Sequence, residues 1–226
     1  MNKVKIVNNK NIYPVDAIYI LLLVDSDARR KNVNKFLSVL NSGNNIKIVE
    51  TVRKPWFKSF IDKNIKYDNY RQGDETANAL DCAINHYNII KSSYENGLER
   101  IMIIEDDANF VCSINDYIDI INDIPDDADI LQFRPEEITI NNFRKKLSWL
   151  DYKTYDTKLK LRNMNMRWSA IMYILNRDAM KYFIDYYDNN MIIADQPFFD
   201  YKSNLKYYVC NKPVLNVRLK SNILDY

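Results

Sequence analysis

Apolar positions fall into short dense runs separated by stretches of helical spacing. Ile18-Tyr19-Ile20-Leu21-Leu22-Leu23-Val24 is unbroken, which predicts a strand buried on both faces. Asp25-Ser26-Asp27 follows with three residues able to cap a helix, and Val33, Phe36, Leu37 and Leu40 supply an apolar stripe at helical period. Asn41-Ser42-Gly43-Asn44-Asn45 closes that helix, and 46–52 reads as a second strand. A longer helix opens at Asp74 or Thr76 and carries Ala79, Cys82, Ala83, His86, Tyr87 and Ile90 on one side. Gly97 then leads into Arg100-Ile101-Met102-Ile103-Ile104-Glu105-Asp106-Asp107, a buried strand closed by three acids. Further on, 113–121 reads as a short helix, 129–133 and 169–175 as strands, and Asn176 as the cap of a helix bearing Ala179, Phe183 and Tyr186. Ala194-Asp195-Gln196-Pro197 resembles a helix start, and 207–217 a terminal strand or strand pair. Strands alternating with helices predict an α/β fold.

Two stretches lack such periodicity. The first eleven residues are polar and read as peripheral or frayed, with 1–15 outside the core, and 53–72 is aromatic and basic without a clean period. Positions 142–167 are basic and aromatic, the pattern of a mobile lid or binding loop, and Arg144, Lys145, Lys146, Lys158, Lys160 and Arg162 suit an anionic glycan or a membrane surface.

Composition narrows the classes. At 226 residues, 47% apolar, 27% charged and a net charge of +2, the chain fits one soluble globular domain over 1–226, without a nucleic-acid footprint. The run 18–24 is shorter than the roughly 20 residues of a membrane span, so membrane association is at most peripheral. Cys82, Cys112 and Cys210 are odd in number and set in apolar sequence, which favours free thiols in a reducing, cytoplasmic compartment. Three glycines leave no Gly-rich phosphate loop, so a bound nucleotide needs a metal at its phosphates. Oligomeric state is left open.

The acidic strand tip is the candidate site. Three adjoining carboxylates repel one another, and a divalent cation among them relieves that repulsion. Side chains alternate along a strand, which places Glu105 and Asp107 on one side and Asp106 on the other. Ligands of open α/β sheets collect beyond the carboxyl ends of strands, where this cluster lies.

Five landmarks share their order with glycosyltransferase family 25, the lipooligosaccharide galactosyltransferase-like group. The opening strand and Arg29 resemble that family's strand and Asp-Arg turn, and Cys82-Ala83-Ile84-Asn85-His86 its Cys-x-Leu-Ser-His helix. Ile103-Ile104-Glu105-Asp106-Asp107-Ala108 is similar to its apolar-Glu-Asp-Asp signature, and Tyr173-Ile174-Leu175-Asn176-Arg177-Asp178-Ala179 to its Tyr-apolar-apolar-x-Arg-x-Ala element. Ala194-Asp195-Gln196-Pro197-Phe198-Phe199 stands where the family has an Asp before apolar residues. The family's Asn in the first strand is Leu22 here, its Gly-Glu is Asn78-Ala79, and its Ser before the His is Asn85, so the resemblance is to a divergent member.

The resemblance implies a single GT-A-like domain, a Rossmann-like mixed sheet flanked by helices. It also implies inverting transfer of galactose or glucose from a UDP-sugar to a glycan acceptor. Asp107 with Glu105 would hold Mn²⁺ or Mg²⁺, and Asp195 would be the general base. Arg29, Asp106, His86 and Trp168 would serve the nucleotide-sugar, Arg29 at its phosphates and Trp168 by stacking on a sugar ring. Two other readings stay open: a metal-dependent phosphoryl-transfer or hydrolytic enzyme using the same strand tip, and a glycosyltransferase-like module that only binds.

Overall fold

A computed structural model describes residues 4–7, 15–23, 26–40, 45–51, 74–110, 114–133, 159–161, 170–190, 194–199, 204–210 and 215–217. Its strands are β1 (Val4–Val7), β2 (Ala17–Leu23), β3 (Ile46–Thr51), β4 (Arg100–Glu105), β5 (Ala108–Phe110), β6 (Ile130–Gln132), β7 (Leu159–Leu161), β8 (Met172–Asn176), β9 (Tyr207–Cys210) and β10 (Leu215–Val217). Its helices are α1 (Asp27–Leu40), α2 (Asp74–Glu95), α3 (Ile114–Asn122), α4 (Arg177–Asn190) and α5 (Gln196–Phe199). Eight strands form one mixed sheet in the order β1-β3-β2-β4-β8-β6-β9-β7, and β5 pairs with β10 apart from it.

The expected α/β architecture is present, with β2 parallel to both β3 and β4 and β8 antiparallel to β4. Alternation along the central strands sorts two cores. Ile18, Ile20, Leu22, Met102 and Ile104 face α1 and α3 through Val33, Leu40, Tyr117 and Ile120. Ala17, Tyr19, Ile101, Ile103 and Tyr173 face α2 and α4 through Ala83, Ile90, Ala179 and Phe183. Burying such side chains contributes about 1.5 to 3 kcal/mol each, so the sheet centre is where the fold is anchored. Glu105 continues the Ile101-Ile103 side of the pleat and is thereby aimed at α2.

Helix ends follow local chemistry. Ser26 Oγ accepts the Arg29 N–H at 3.4 Å at the start of α1, and Asn176 Oδ1 accepts the Ala179 N–H at 2.9 Å at the start of α4. Gly97, at φ 75°, ends α2, with Gly97 N–H donating to Tyr94 O and Leu98 N–H to Ser93 O, both at 3.1 Å. That paired pattern requires a left-handed residue, which glycine adopts without strain.

Two segments differ from expectation. Val4–Val7, within the span read as peripheral or frayed, pairs antiparallel with β3 and forms an edge of the sheet. Leu159–Leu161, within the span read as a loop, pairs antiparallel with β9 at the opposite edge. Edge strands pair on one side only, so they need no long apolar run to reveal them. The rest of 142–167, the 53–72 stretch and Cys112 lie outside the described residues. Among the described residues no helix is long and apolar enough to cross a membrane.

Candidate active site

Five parts of the chain meet beyond the carboxyl end of β4. The start of α1 brings Arg29 and Asn32, the middle of α2 brings Cys82 and His86, and the turn after β4 brings Asp106 and Asp107 beside Glu105. Because β8 runs against β4, with Met172 opposite Ile104, its leading end brings Tyr173 and Ala170 to the same place, and Ala170 holds Asp195.

On the α1 side the groups are saturated by one another. Arg29 Nη1 is paired with Asp106 Oδ1, Leu23 N–H donates to Asp106 Oδ2 at 2.6 Å, and Arg29 Nη2 stands 3.8 Å from Asp107 Oδ2. Asn32, a turn further along the same helix face, donates through Nδ2 to the carbonyl oxygens of Asp106, at 2.9 Å, and Ala108. These bonds clamp the acidic turn onto α1. Burial raises the Asp106 carboxyl above its ordinary range, while the charge of Arg29 and the Leu23 N–H oppose that rise.

On the α2 side a buried relay runs through His86. Its Nε2 lies 3.1 Å from Glu105 Oε1 and its Nδ1 2.5 Å from the Tyr173 hydroxyl, the two rings stacking at 5.6 Å between centroids. The proton assignment that gives every hydrogen an acceptor has Nε2–H donating to Glu105 and the Tyr173 hydroxyl donating to Nδ1. Cys82 Sγ donates to the same Oε1 at 3.4 Å. Burial pushes Glu105 upward, but the hydrogen bond from His86, then that from Cys82 and the charge of Arg29, outweigh it and hold the carboxyl below its usual range. Burial first and the Glu105 charge next push the Cys82 thiol well up, so it stands as a thiol.

Between these sides lie two carboxylates that the described residues compensate only in part. Burial and the nearby Glu105 raise Asp107 to about 7, against the pull of Arg29, and Asp107 Oδ1 is buried with no hydrogen-bond partner among the described residues. Asp195 is likewise raised to about 7 by burial and by Glu105, although Ala170 N–H donates to its Oδ1 at 2.9 Å. A buried carboxylate oxygen without a donor costs about 1 to 3 kcal/mol, a cost that a bound cation removes. The open Asp107 oxygen is the kind of donor that a hard divalent ion takes.

Of the residues singled out in the sequence, Arg29, His86, Glu105, Asp106, Asp107 and Asp195 converge here, and Trp168 lies outside the described residues. The pleat sets only the side that Glu105 takes; Asp106 and Asp107 both fall past the strand, where the turn and not strand alternation sets their places. Sequence reasoning missed Asn32, Tyr173 and the pairing of Cys82 with Glu105. Asn32 shares a helix face with Arg29 at i, i+3, and Cys82 shares one with His86 at i, i+4, so both pairings were open to reading. Tyr173 sits inside an apolar strand and carried no such sign.

The model of glycosyltransferase family 25 (LPS biosynthesis protein) matches residues 15–197. Curated proteins give no match. Among solved structures, the chain is similar to a glycosyltransferase involved in the glycosylation of the major capsid of PBCV-1, at 9% identity and a TM-score of 0.42, covering 85% of this chain and 79% of that one. It is also similar to mouse xyloside xylosyltransferase 1 in its apo form, at 13% identity and a TM-score of 0.35, covering 81% of this chain and 66% of that one. Both scores are below 0.5 and carry no argument.

Proposed function

Since the chain belongs to glycosyltransferase family 25, we propose that it moves a hexose, galactose or glucose, from a UDP-sugar to a hydroxyl of a glycan acceptor, inverting the anomeric configuration on a GT-A-like domain. The observation that carries this reading is Asp107, whose buried Oδ1 has no donor among the described residues and whose carboxyl is raised to about 7 next to Glu105. Asp107 with Glu105 would hold Mn²⁺ or Mg²⁺, which when bound offsets the negative charge of a diphosphate leaving group.

The chain's own groups then divide the work. Arg29, held by Asp106 and facing Asp107, adds a fixed positive charge for the donor phosphates. Asp106 acts by orienting that guanidinium, since both its oxygens are engaged within the protein. His86 and Tyr173 fix the Glu105 carboxylate from below. Asp195, at about 7, is matched to accept a proton from the acceptor hydroxyl near neutral pH, and Trp168 is kept as the candidate platform for a sugar ring. We place the reaction in the cytoplasm, at most peripherally on a membrane surface, in keeping with Cys82, a thiol outside any disulfide among the described residues.

Calorimetric titration of UDP, UDP-galactose and UDP-glucose, with and without Mn²⁺, tests this on the wild type and on Asp107→Asn. The expected result is cation-dependent UDP binding that the variant loses. Absence of UDP binding under every condition would sink the reading.

A further inference from the structure

Cys82 and His86 stand one turn apart on α2, so both side chains leave the same face, and β4 raises Glu105 to meet them. The thiol sulfur, an imidazole nitrogen and a carboxylate oxygen lie within 4.8 Å of one another. Two edges of that triangle are 3.4 Å, Sγ to Oε1, and 3.1 Å, Nε2 to Oε1. Around a tetrahedral zinc, with sulfur at about 2.3 Å and nitrogen or oxygen at about 2.0 Å, neighbouring ligand atoms stand about 3.3 to 3.5 Å apart. The two edges already approach that spacing.

We propose that Cys82, His86 and Glu105 form a Zn²⁺ site, distinct in donor chemistry from the oxygen site at Asp107 but sharing Glu105 with it. Thiolate and imidazole select zinc over Mg²⁺ or Mn²⁺, which take oxygen ligands. Charge also balances, because a thiolate and a carboxylate neutralise the dication where His86 is fully buried. As the zinc–sulfur bond forms, the thiol proton leaves to solvent. The imidazole stays neutral by changing tautomer: Nε2 gives up its proton to solvent as the zinc–nitrogen bond forms, Nδ1 takes one up from solvent, and Nδ1–H then donates to the Tyr173 oxygen, 2.5 Å away, which becomes the outer partner that orients the ligand. Entry is through Glu105, whose side chain is 21% exposed. Three protein ligands leave a fourth position for a solvent or substrate oxygen. The consequence for turnover rests on the glycosyl-transfer reading above: zinc draws Glu105 away from Asp107 and inhibits.

Cobalt(II) is the spectroscopic probe, added to the full chain. The expected result is a thiolate-to-cobalt charge-transfer band in the near ultraviolet that zinc abolishes, that Cys82→Ser lacks, and that needs about tenfold more cobalt in Tyr173→Phe. X-ray absorption of the zinc-loaded wild type, which needs no variant, should show one sulfur at about 2.3 Å among nitrogen and oxygen neighbours. No band in the wild type, an undiminished band in Cys82→Ser, or a zinc shell without sulfur overturns the site. Zinc bound in this way with turnover unchanged overturns the sharing of Glu105. Should the chain transfer no sugar, the spectra still decide the site.

Discussion

At the end of the sheet where β2, β4 and β6 begin, acids are used up by the chain itself. Asp16 Oδ2 accepts the Glu99 and Arg100 N–H groups at 2.6 and 3.0 Å, and Asp129 takes the Asn176 side-chain amide on one oxygen and the Lys206 N–H, at 2.6 Å, on the other. At the end where β4 stops, Asp107 keeps a buried oxygen with no donor among the described residues, and Asp195 is raised with it to about 7. Both ends hold carboxylates close to backbone. Saturated acids tie loops to strands; buried acids that are raised, one of them with an open oxygen, store electrostatic cost that a ligand, a proton or a mutation relieves.

The largest effect that tests this difference is at Asp107. Replacing it with Asn should lower glycosyl transfer by about 1000-fold, the loss of several kcal/mol of charge stabilisation. Stability should move the other way. The folded Asp107 carboxyl, at about 7, lies above its unfolded value, so the folded state binds the extra proton and stability falls as pH rises from the unfolded value through about 7. Asn cannot ionise, so without added cation the variant should be more stable than wild type at pH 8 by roughly 1 to 3 kcal/mol, a gain that shrinks to nothing near pH 4. Urea denaturation at the two pH values measures it, and a loss of stability at pH 8 would remove the stored cost from the account.

Asp195 comes next. As a base it works ionised, so wild-type kcat/KM should climb with pH and level off above about 7, while Asp195→Asn should lose about 100-fold and flatten that limb. An unchanged limb in the variant assigns the titration elsewhere. A smaller effect follows at Arg29, where Arg29→Gln should weaken UDP binding by about tenfold, as expected for one charged hydrogen bond. Because Asp106 then loses its partner beside the Leu23 N–H, the variant should also melt at lower temperature.

How much of this was legible turns on what each residue needs from its neighbours in sequence. The centre of the sheet could be read because β2 and β4 are buried on both sides and their apolar runs say so. The acidic tip was equally plain, since three acids closing such a run have no packing explanation. What stayed hidden depends on partners far along the chain. The setting of His86 depends on Glu105, 19 residues on, and Tyr173, 87 residues on, which come to its two nitrogens. The orphaned state of Asp107 is a property of what fails to surround it, which no spacing encodes. β1 and β7 escaped because short edge strands carry little apolar signal.

The smallest expected effect is the control that gives the comparison its force. Asp129→Asn keeps an acceptor for the Asn176 amide, but its new amide nitrogen faces either that group or the Lys206 N–H, and two donors then oppose each other. The expected cost is about 1 to 2 kcal/mol of stability at neutral pH, with UDP affinity and turnover unchanged. Asn176 also caps α4, so part of that cost should appear as fraying of the first turn of α4, read by hydrogen exchange at Ala179. If Asp129→Asn instead lost transfer activity as deeply as Asp107→Asn, hydrogen-bond saturation would not separate structural from functional acids in this fold. If it loses stability alone, the unsatisfied oxygen of Asp107 is what marks the working end of the sheet.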